Sequence, residues 1–180
     1  LNLPLEGEGL DVLLESIDDF LKYCVRTNRP EFMNPLWGGF SLPAFAGEIL
    51  STLAQTSMYT FEMAPLATLI EQTIISRMLE IVGFSEGVGT LTTGGSNGNM
   101  IGMICARQRL NPLGLLSGFD GRSLVVFVSA DSHYSVSMSA NVLGIGKHNV
   151  VKVRCDNAGR MKPDALRKEI ELALDEGKTP

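Results

Sequence analysis

A continuous apolar run at residues 124–128 constrains the fold of this chain more than any other segment. The run reads LVVFV and is rich in β-branched residues, which is typical of a strand buried on both faces of a parallel sheet. A short helix is predicted over 135–143, a second strand over 150–154, and a further helix over 163–176, which begins at a proline. The order strand, helix, strand, helix predicts an α/β fold with a mainly parallel sheet and helices on both faces.

The amino-terminal part is predicted to be helical. Apolar residues recur at helical spacing over 10–27, over 46–54, and from Pro65 to a stop at Gly83. Residues 28–43 contain several prolines among bulky apolar side chains, so this segment is predicted to be a loop that either lines a pocket or crosses over the core. We therefore expect a helical segment with its loop over 1–65 and the first part of a larger domain over 66–180.

Composition narrows the class of function. The net charge is −5 and no basic cluster occurs, so a nucleic-acid surface is not expected. No apolar run is long enough to span a bilayer, and the amino terminus lacks a signal-peptide pattern, so we expect a cytoplasmic protein without a membrane anchor. The three cysteines are scattered and only two histidines are present, which predicts reduced thiols and no metal site. The composition therefore favours a protein that acts on a small molecule.

A glycine- and hydroxyl-rich loop at residues 89–99 precedes a helical pattern at 100–110. Glycines allow close approach of the backbone to a ligand, and the first N–H groups of a helix have no helical partner, so the junction suits a phosphate group. The spacing fits neither a P-loop nor a dinucleotide fingerprint. The alternative is a plain connection before a helix, with Ser96 as its N-cap.

His133 follows the predicted strand at 124–128. In open α/β sheets, ligands bind beyond the carboxyl ends of the strands, so His133 is a candidate functional residue. A structural hydrogen-bonding histidine is the alternative.

Taken together, several spaced motifs resemble those of the group II pyridoxal-phosphate-dependent amino-acid decarboxylases. They occur in the family's order along nearly the whole chain: YCVRT at 23–27, NRPEF at 28–32, YTFEMAP at 59–65, TGGSNGN at 93–99, AR at 106–107, SHYS at 132–135, LGIG at 143–146 and DNAGRM at 156–161. The similarity is greatest to the branch that acts on acidic substrates. It implies a fold-type I fold and a PLP-dependent carboxy-lyase that converts aspartate, glutamate or cysteine sulfinate to the amine and carbon dioxide.

The resemblance also implies roles for particular residues. Gly95 and Ser96 would bind the phosphate of pyridoxal 5'-phosphate, Gly94 and Asn97 would shape the loop, and the His133 imidazole would stack on the cofactor ring. The substrate-side loop would comprise Phe32, Asn34, Pro35, Leu36 and Trp37. In the family, active sites form at the interface of a homodimer, so part of this chain is expected to serve its partner's site.

The lysine and aspartate that the family needs at the cofactor lie, in relatives, beyond the position corresponding to Pro180. We therefore expect the 180-residue piece alone to be unstable and inactive. Two alternatives stay open: another PLP-dependent reaction such as transamination, and a non-catalytic piece that completes or blocks a dimer.

Pro35 stands where the animal glutamate and cysteine-sulfinate enzymes commonly have glutamine. Proline has no side-chain donor for a carboxylate. The resemblance therefore leaves the substrate open among aspartate, cysteine sulfinate and a diamino acid, and makes glutamate recognition through this position doubtful.

Overall fold

A computed structural model describes residues 5–36, 38–118 and 120–180 of the chain. The chain divides into two compact units, Leu1–Glu86 and Gly87–Pro180. The functional division after residue 65 stays a prediction.

Residues 5–36 and 38–86 of the first unit contain three helices: α1 at Leu10–Tyr23, α2 at Leu42–Ala54 and α3 at Pro65–Val82. Ser41 caps α2, since its hydroxyl accepts a hydrogen bond from the Ala44 N–H. The predicted helix over 10–27 is too long, because the chain becomes extended at Cys24 and the β-branched Val25 and Thr27 favour that conformation. Large apolar side chains on α1 are exposed, including Phe20 at 69%.

The second unit confirms the α/β prediction. Strand β1 at Val126–Ser129 pairs in parallel with β2 at Val150–Val153, with Val126 opposite Val150 and Ser129 opposite Val153. Helix α6 at Ser135–Val142 connects the two strands, and α7 at Pro163–Asp175 follows β2. The predicted first strand starts too early, because Leu124 instead makes a parallel bridge to Thr179.

Two further helices precede the sheet within the described part of the second unit. Helix α4 at Gly95–Leu110 packs against α6, and the four-residue helix α5 at Gly114–Ser117 follows it. Helix α5 and a single 3-10 turn at Lys147–Asn149 were not predicted, because elements this short show no apolar periodicity.

The core of the second unit lies where α4, α6 and the sheet meet. Its buried residues are Leu124, Ala140 and Ile145, with Met103, Val126, Leu143 and Val150 packed against them. No helix in the described ranges is both long and apolar enough to cross a membrane. Helices α4 and α6 and both strands thus contribute side chains to one small core.

Candidate functional site

Helix α4 begins at a glycine pair. Gly94 is the N-cap with φ +149° and ψ 165°, a backbone conformation that glycine adopts far more readily than other residues. The first helical hydrogen bond runs from the Gly98 N–H to the Gly94 carbonyl at 3.0 Å. The N–H groups of Gly95, Ser96 and Asn97 precede it and therefore have no acceptor within the helix.

The space around this first turn suits a bulky anion. A Cβ atom placed on Gly94 or Gly95 would meet nothing within 4 Å, so the backbone there is open to a ligand. The Thr92 hydroxyl donates to the Gly94 carbonyl at 3.1 Å, and this hydrogen bond stabilises the loop just before the helix. Free N–H groups, open space and a positive helix end together match the chemistry of a phosphate group.

Ser96 is not the N-cap of this helix. The helix begins five residues before the predicted apolar periodicity at Met100, because the polar GSNGN stretch is itself helical from Gly95. The N-cap is Gly94, and Ser96 lies within the first turn as the second residue of the helix.

A cleft of about 360 Å³ lies beside this turn. Ser96, Asn97 and Met100 line it from α4. The other lining residues are Tyr134, just before α6, and four residues of α6: Ser135, Met138, Ser139 and Val142. Two of the predicted cofactor residues thus face one concave space within the second unit.

His133 lies in the turn between β1 and α6. The turn is closed by a hydrogen bond from the Ser132 N–H to the Ser129 carbonyl at 3.0 Å. The His133 and Tyr134 rings lie 4.3 Å apart at 38°. Nδ1 of His133 lies 2.9 Å from the Ser135 hydroxyl and accepts from the Ser135 N–H at 3.2 Å.

A side chain of α4 is connected to this turn. Asn99 Nδ2 donates to Ser135 Oγ at 2.8 Å across 36 residues of sequence, and Ser135 is 2% exposed. The phosphate-type turn and His133 therefore belong to a single hydrogen-bonded arrangement. The role of Asn99 and Ser135 was missed, although both residues stand in the quoted motifs, because only the packing of α4 on α6 brings them together.

The predicted substrate-side loop lies in the first unit. Phe32, Asn34 and Pro35 line a depression of about 480 Å³, and Asn34 Oδ1 accepts from the Leu36 N–H at 2.8 Å. Trp37 lies outside the described residues. Elsewhere in the first unit, the pKa of Glu62 is held below its usual value by hydrogen bonds from its own N–H and from the Thr60 hydroxyl.

Comparison with known proteins identifies relatives along the entire chain. Residues 1–180 match the family model described as "Pyridoxal-dependent decarboxylase conserved domain". Acidic amino acid decarboxylase GADL1 of Mus musculus is 39% identical over 97% of this chain and 32% of its own length. Cysteine sulfinic acid decarboxylase of Mus musculus is 36% identical over 100% of this chain and 37% of its own length.

The fold of a solved relative agrees with the fold described above. The crystal structure of mouse CSAD has a TM-score of 0.95 and 36% identity, and the match covers 100% of this chain and 38% of that one. The chain thus spans about a third of the length of the curated relatives that it matches.

Proposed function

The chain belongs to the pyridoxal-dependent decarboxylase family, and we propose that the protein removes the α-carboxylate of an acidic amino acid with pyridoxal 5'-phosphate as cofactor. The candidate substrates are aspartate, glutamate and cysteine sulfinate. The observation that carries the proposal is the combination of an open, phosphate-suited turn at Gly95–Ser96 with 36–39% identity to acidic amino acid and cysteine sulfinic acid decarboxylases.

In this proposal the cofactor phosphate binds at the start of α4. Gly95 and Ser96 donate backbone N–H groups, and the Ser96 hydroxyl adds a side-chain donor. Gly94 and Asn97 shape the turn: the positive φ of Gly94 sets the direction in which the chain enters the helix, and Asn97 lines the neighbouring cleft.

His133 is proposed to lie against the cofactor ring. Its imidazole is exposed, whereas its Nδ1 edge is held by Ser135. A ring fixed along one edge presents a flat face to a planar ligand and restricts tilting of that ligand. His133 is accordingly the catalytic residue proposed within this chain.

The cofactor, when bound, supplies the electron sink for loss of carbon dioxide from the substrate. The residues of this chain bind its phosphate, orient its ring and, through the loop of Phe32, Asn34, Pro35 and Leu36, contact the substrate side chain. Trp37 is proposed for the same loop on the resemblance alone.

A homodimer in the cytoplasm completes the proposal. Helix α1 is strongly amphipathic in sequence, yet Leu10 is 68% and Phe20 69% exposed, which supports a second copy as the group that covers it. The three cysteines, Cys24, Cys105 and Cys155, are unpaired, as is usual in reducing compartments.

The test is a product assay on the natural-length polypeptide with added cofactor. Purified protein is incubated separately with aspartate, glutamate, cysteine sulfinate and 2,4-diaminobutyrate, and the amine, carbon dioxide and 2-oxo acid are measured. We expect amine and carbon dioxide in equal amounts from at least one acidic substrate. A 2-oxo acid as the main product would establish transamination instead, and carbon dioxide from the diamino acid alone would overturn the assignment of an acidic substrate.

A further inference from the structure

Asn99, Ser135 and His133 form a hydrogen-bonded chain that reaches from the interior to the surface. Asn99 Nδ2 lies 2.8 Å from Ser135 Oγ, and Ser135 Oγ lies 2.9 Å from His133 Nδ1. Ser135 is buried, with 2% of its surface exposed, whereas His133 is exposed. We call these three residues the relay.

The donors in the relay are fixed by chemistry. The Ser135 backbone N–H can only donate, and it points to His133 Nδ1 at 3.2 Å, so Nδ1 must be the acceptor. The Ser135 hydroxyl accepts the Asn99 amide hydrogen and has its own hydrogen left to donate. Its nearest acceptor is the same Nδ1.

Two donors therefore converge on Nδ1 of His133. Of the two neutral forms of imidazole, only the form with its proton on Nε2 accepts both. The same pair of donors also prevents a 180° flip of the ring, because a flip would place a carbon atom where Nδ1 accepts. No partner of Nε2 is found among the residues that the structure describes.

We propose that Asn99 and Ser135 are positioning residues which fix the tautomer and the ring plane of His133, so that an Nε2–H donor faces the ligand. This inference rests on the proposed function for its ligand, an acidic substrate bound beside the cofactor ring, whose anionic oxygens would accept from Nε2–H. Asn99 and Ser135 act only through His133 and touch no reacting atom.

The tautomer is measurable without any catalysis. The natural-length polypeptide is labelled with ¹⁵N-histidine, and long-range ¹H–¹⁵N correlation spectra are recorded at alkaline pH without cofactor. The His133 signals are assigned by their loss in His133→Gln. We expect the wild-type spectrum to show the proton on Nε2. A proton on Nδ1 in the wild-type protein would overturn the proposal even if no variant folds.

Two variants weaken the relay one member at a time. Ser135→Ala removes one of the two donors to Nδ1, and a lost hydrogen bond of ordinary strength shifts the tautomer ratio toward Nδ1–H by about fivefold. Asn99→Ala leaves the hydroxyl free to rotate and shifts the ratio in the same direction by a smaller factor. Ser135→Thr keeps the hydroxyl and is expected to show the wild-type tautomer ratio.

Two control variants lie on α6, the helix that contains Ser135. Ser137→Ala and Asn141→Ala change the same residue types on α6 without a hydrogen bond to His133 among the described contacts, and both leave the tautomer ratio unchanged. An unchanged ratio in Ser135→Ala, or an equal shift in the controls, overturns the relay. If the ratio shifts as expected but no acidic amino acid is decarboxylated, the proposed function fails and the relay stands.

Discussion

Arg107 and Leu143 are joined across the core of the second unit: Arg107 Nη1 donates to the Leu143 carbonyl at 2.9 Å. Leu143 follows the last residue of α6, where helical carbonyls lack helical partners. The arginine on α4 therefore caps α6, whose first residue is Ser135, and helps to hold the site's two helices in register.

Replacement of Arg107 by alanine is expected to destabilise the protein. A charged donor to a partly buried carbonyl contributes about 1.5–3 kcal/mol, so the free energy of unfolding should fall by about that amount. Urea unfolding of the natural-length protein measures the change. Arg109→Ala is the matched control, because Arg109 is exposed on the same helix and its loss should cost far less. Equal losses in both variants would refute the capping role.

Ser96→Ala is expected to weaken cofactor binding while the fold is kept. The variant removes a hydroxyl donor to a charged phosphate, which corresponds to about 10- to 100-fold in the cofactor dissociation constant. Absorbance titration of the apoprotein with pyridoxal 5'-phosphate measures it. Ser117→Ala provides the comparison and should leave binding unchanged, since the Ser117 hydroxyl donates to the carbonyl of Leu113, the residue just before α5. Unaltered affinity in Ser96→Ala would exclude the hydroxyl as a phosphate donor.

Pro35→Gln is expected to shift substrate preference toward glutamate. Pro35 is exposed in the loop and has no side-chain donor, and glutamine adds an amide that can donate to a distal carboxylate. We expect kcat/KM for glutamate to rise about fivefold relative to aspartate, as one added hydrogen bond allows. Pro35→Ala separates this effect from loss of the proline ring. A similar change in both variants would mean that backbone freedom, and not the amide, alters the preference.

Much of the second unit could be predicted from sequence, because its elements carry strong local signals. The second strand, predicted over 150–154, is observed at Val150–Val153, and the last helix, predicted over 163–176, is observed at Pro163–Asp175. Proline at the helix start and glycine beyond its end mark α7 in the sequence alone. The start of α4 could not be predicted in this way. The GSNGN stretch has low intrinsic helix propensity, so its helical conformation depends on tertiary contacts of α4.

The site was predictable only as separate motifs. The glycine turn and His133 each stand out by composition and by position relative to a strand. Their connection through Asn99 and Ser135 depends on α4 packing against α6, which is a tertiary contact that no local pattern encodes. The path of the loop at 32–36 relative to this site likewise depends on long-range packing and stays a prediction.

Asp156 organises the turn that follows β2. Its Oδ1 accepts from the Ala158 N–H at 2.9 Å and the Arg160 N–H at 3.0 Å, and its Oδ2 accepts from Arg160 Nε at 2.9 Å. The pKa of this carboxyl lies below its ordinary value of 3.8, and the hydrogen bond from the Arg160 N–H is the largest cause. Partial desolvation raises the pKa, whereas the Arg160 guanidinium and the Ala158 N–H lower it further.

Asp156→Asn is expected to destabilise the protein at neutral pH and to lose that effect in acid. Because the folded pKa lies below the unfolded one, the carboxylate stabilises the fold above the ordinary value of 3.8, and this stabilisation disappears as the pH falls through the folded pKa. Unfolding midpoints in urea, measured for both proteins from pH 7 to pH 3, should therefore converge toward the acid end. Asp175→Asn, at the exposed end of α7, controls for the change in net charge. If the difference in unfolding midpoint between wild type and Asp156→Asn stays constant over this range, the turn depends on side-chain shape rather than on charge.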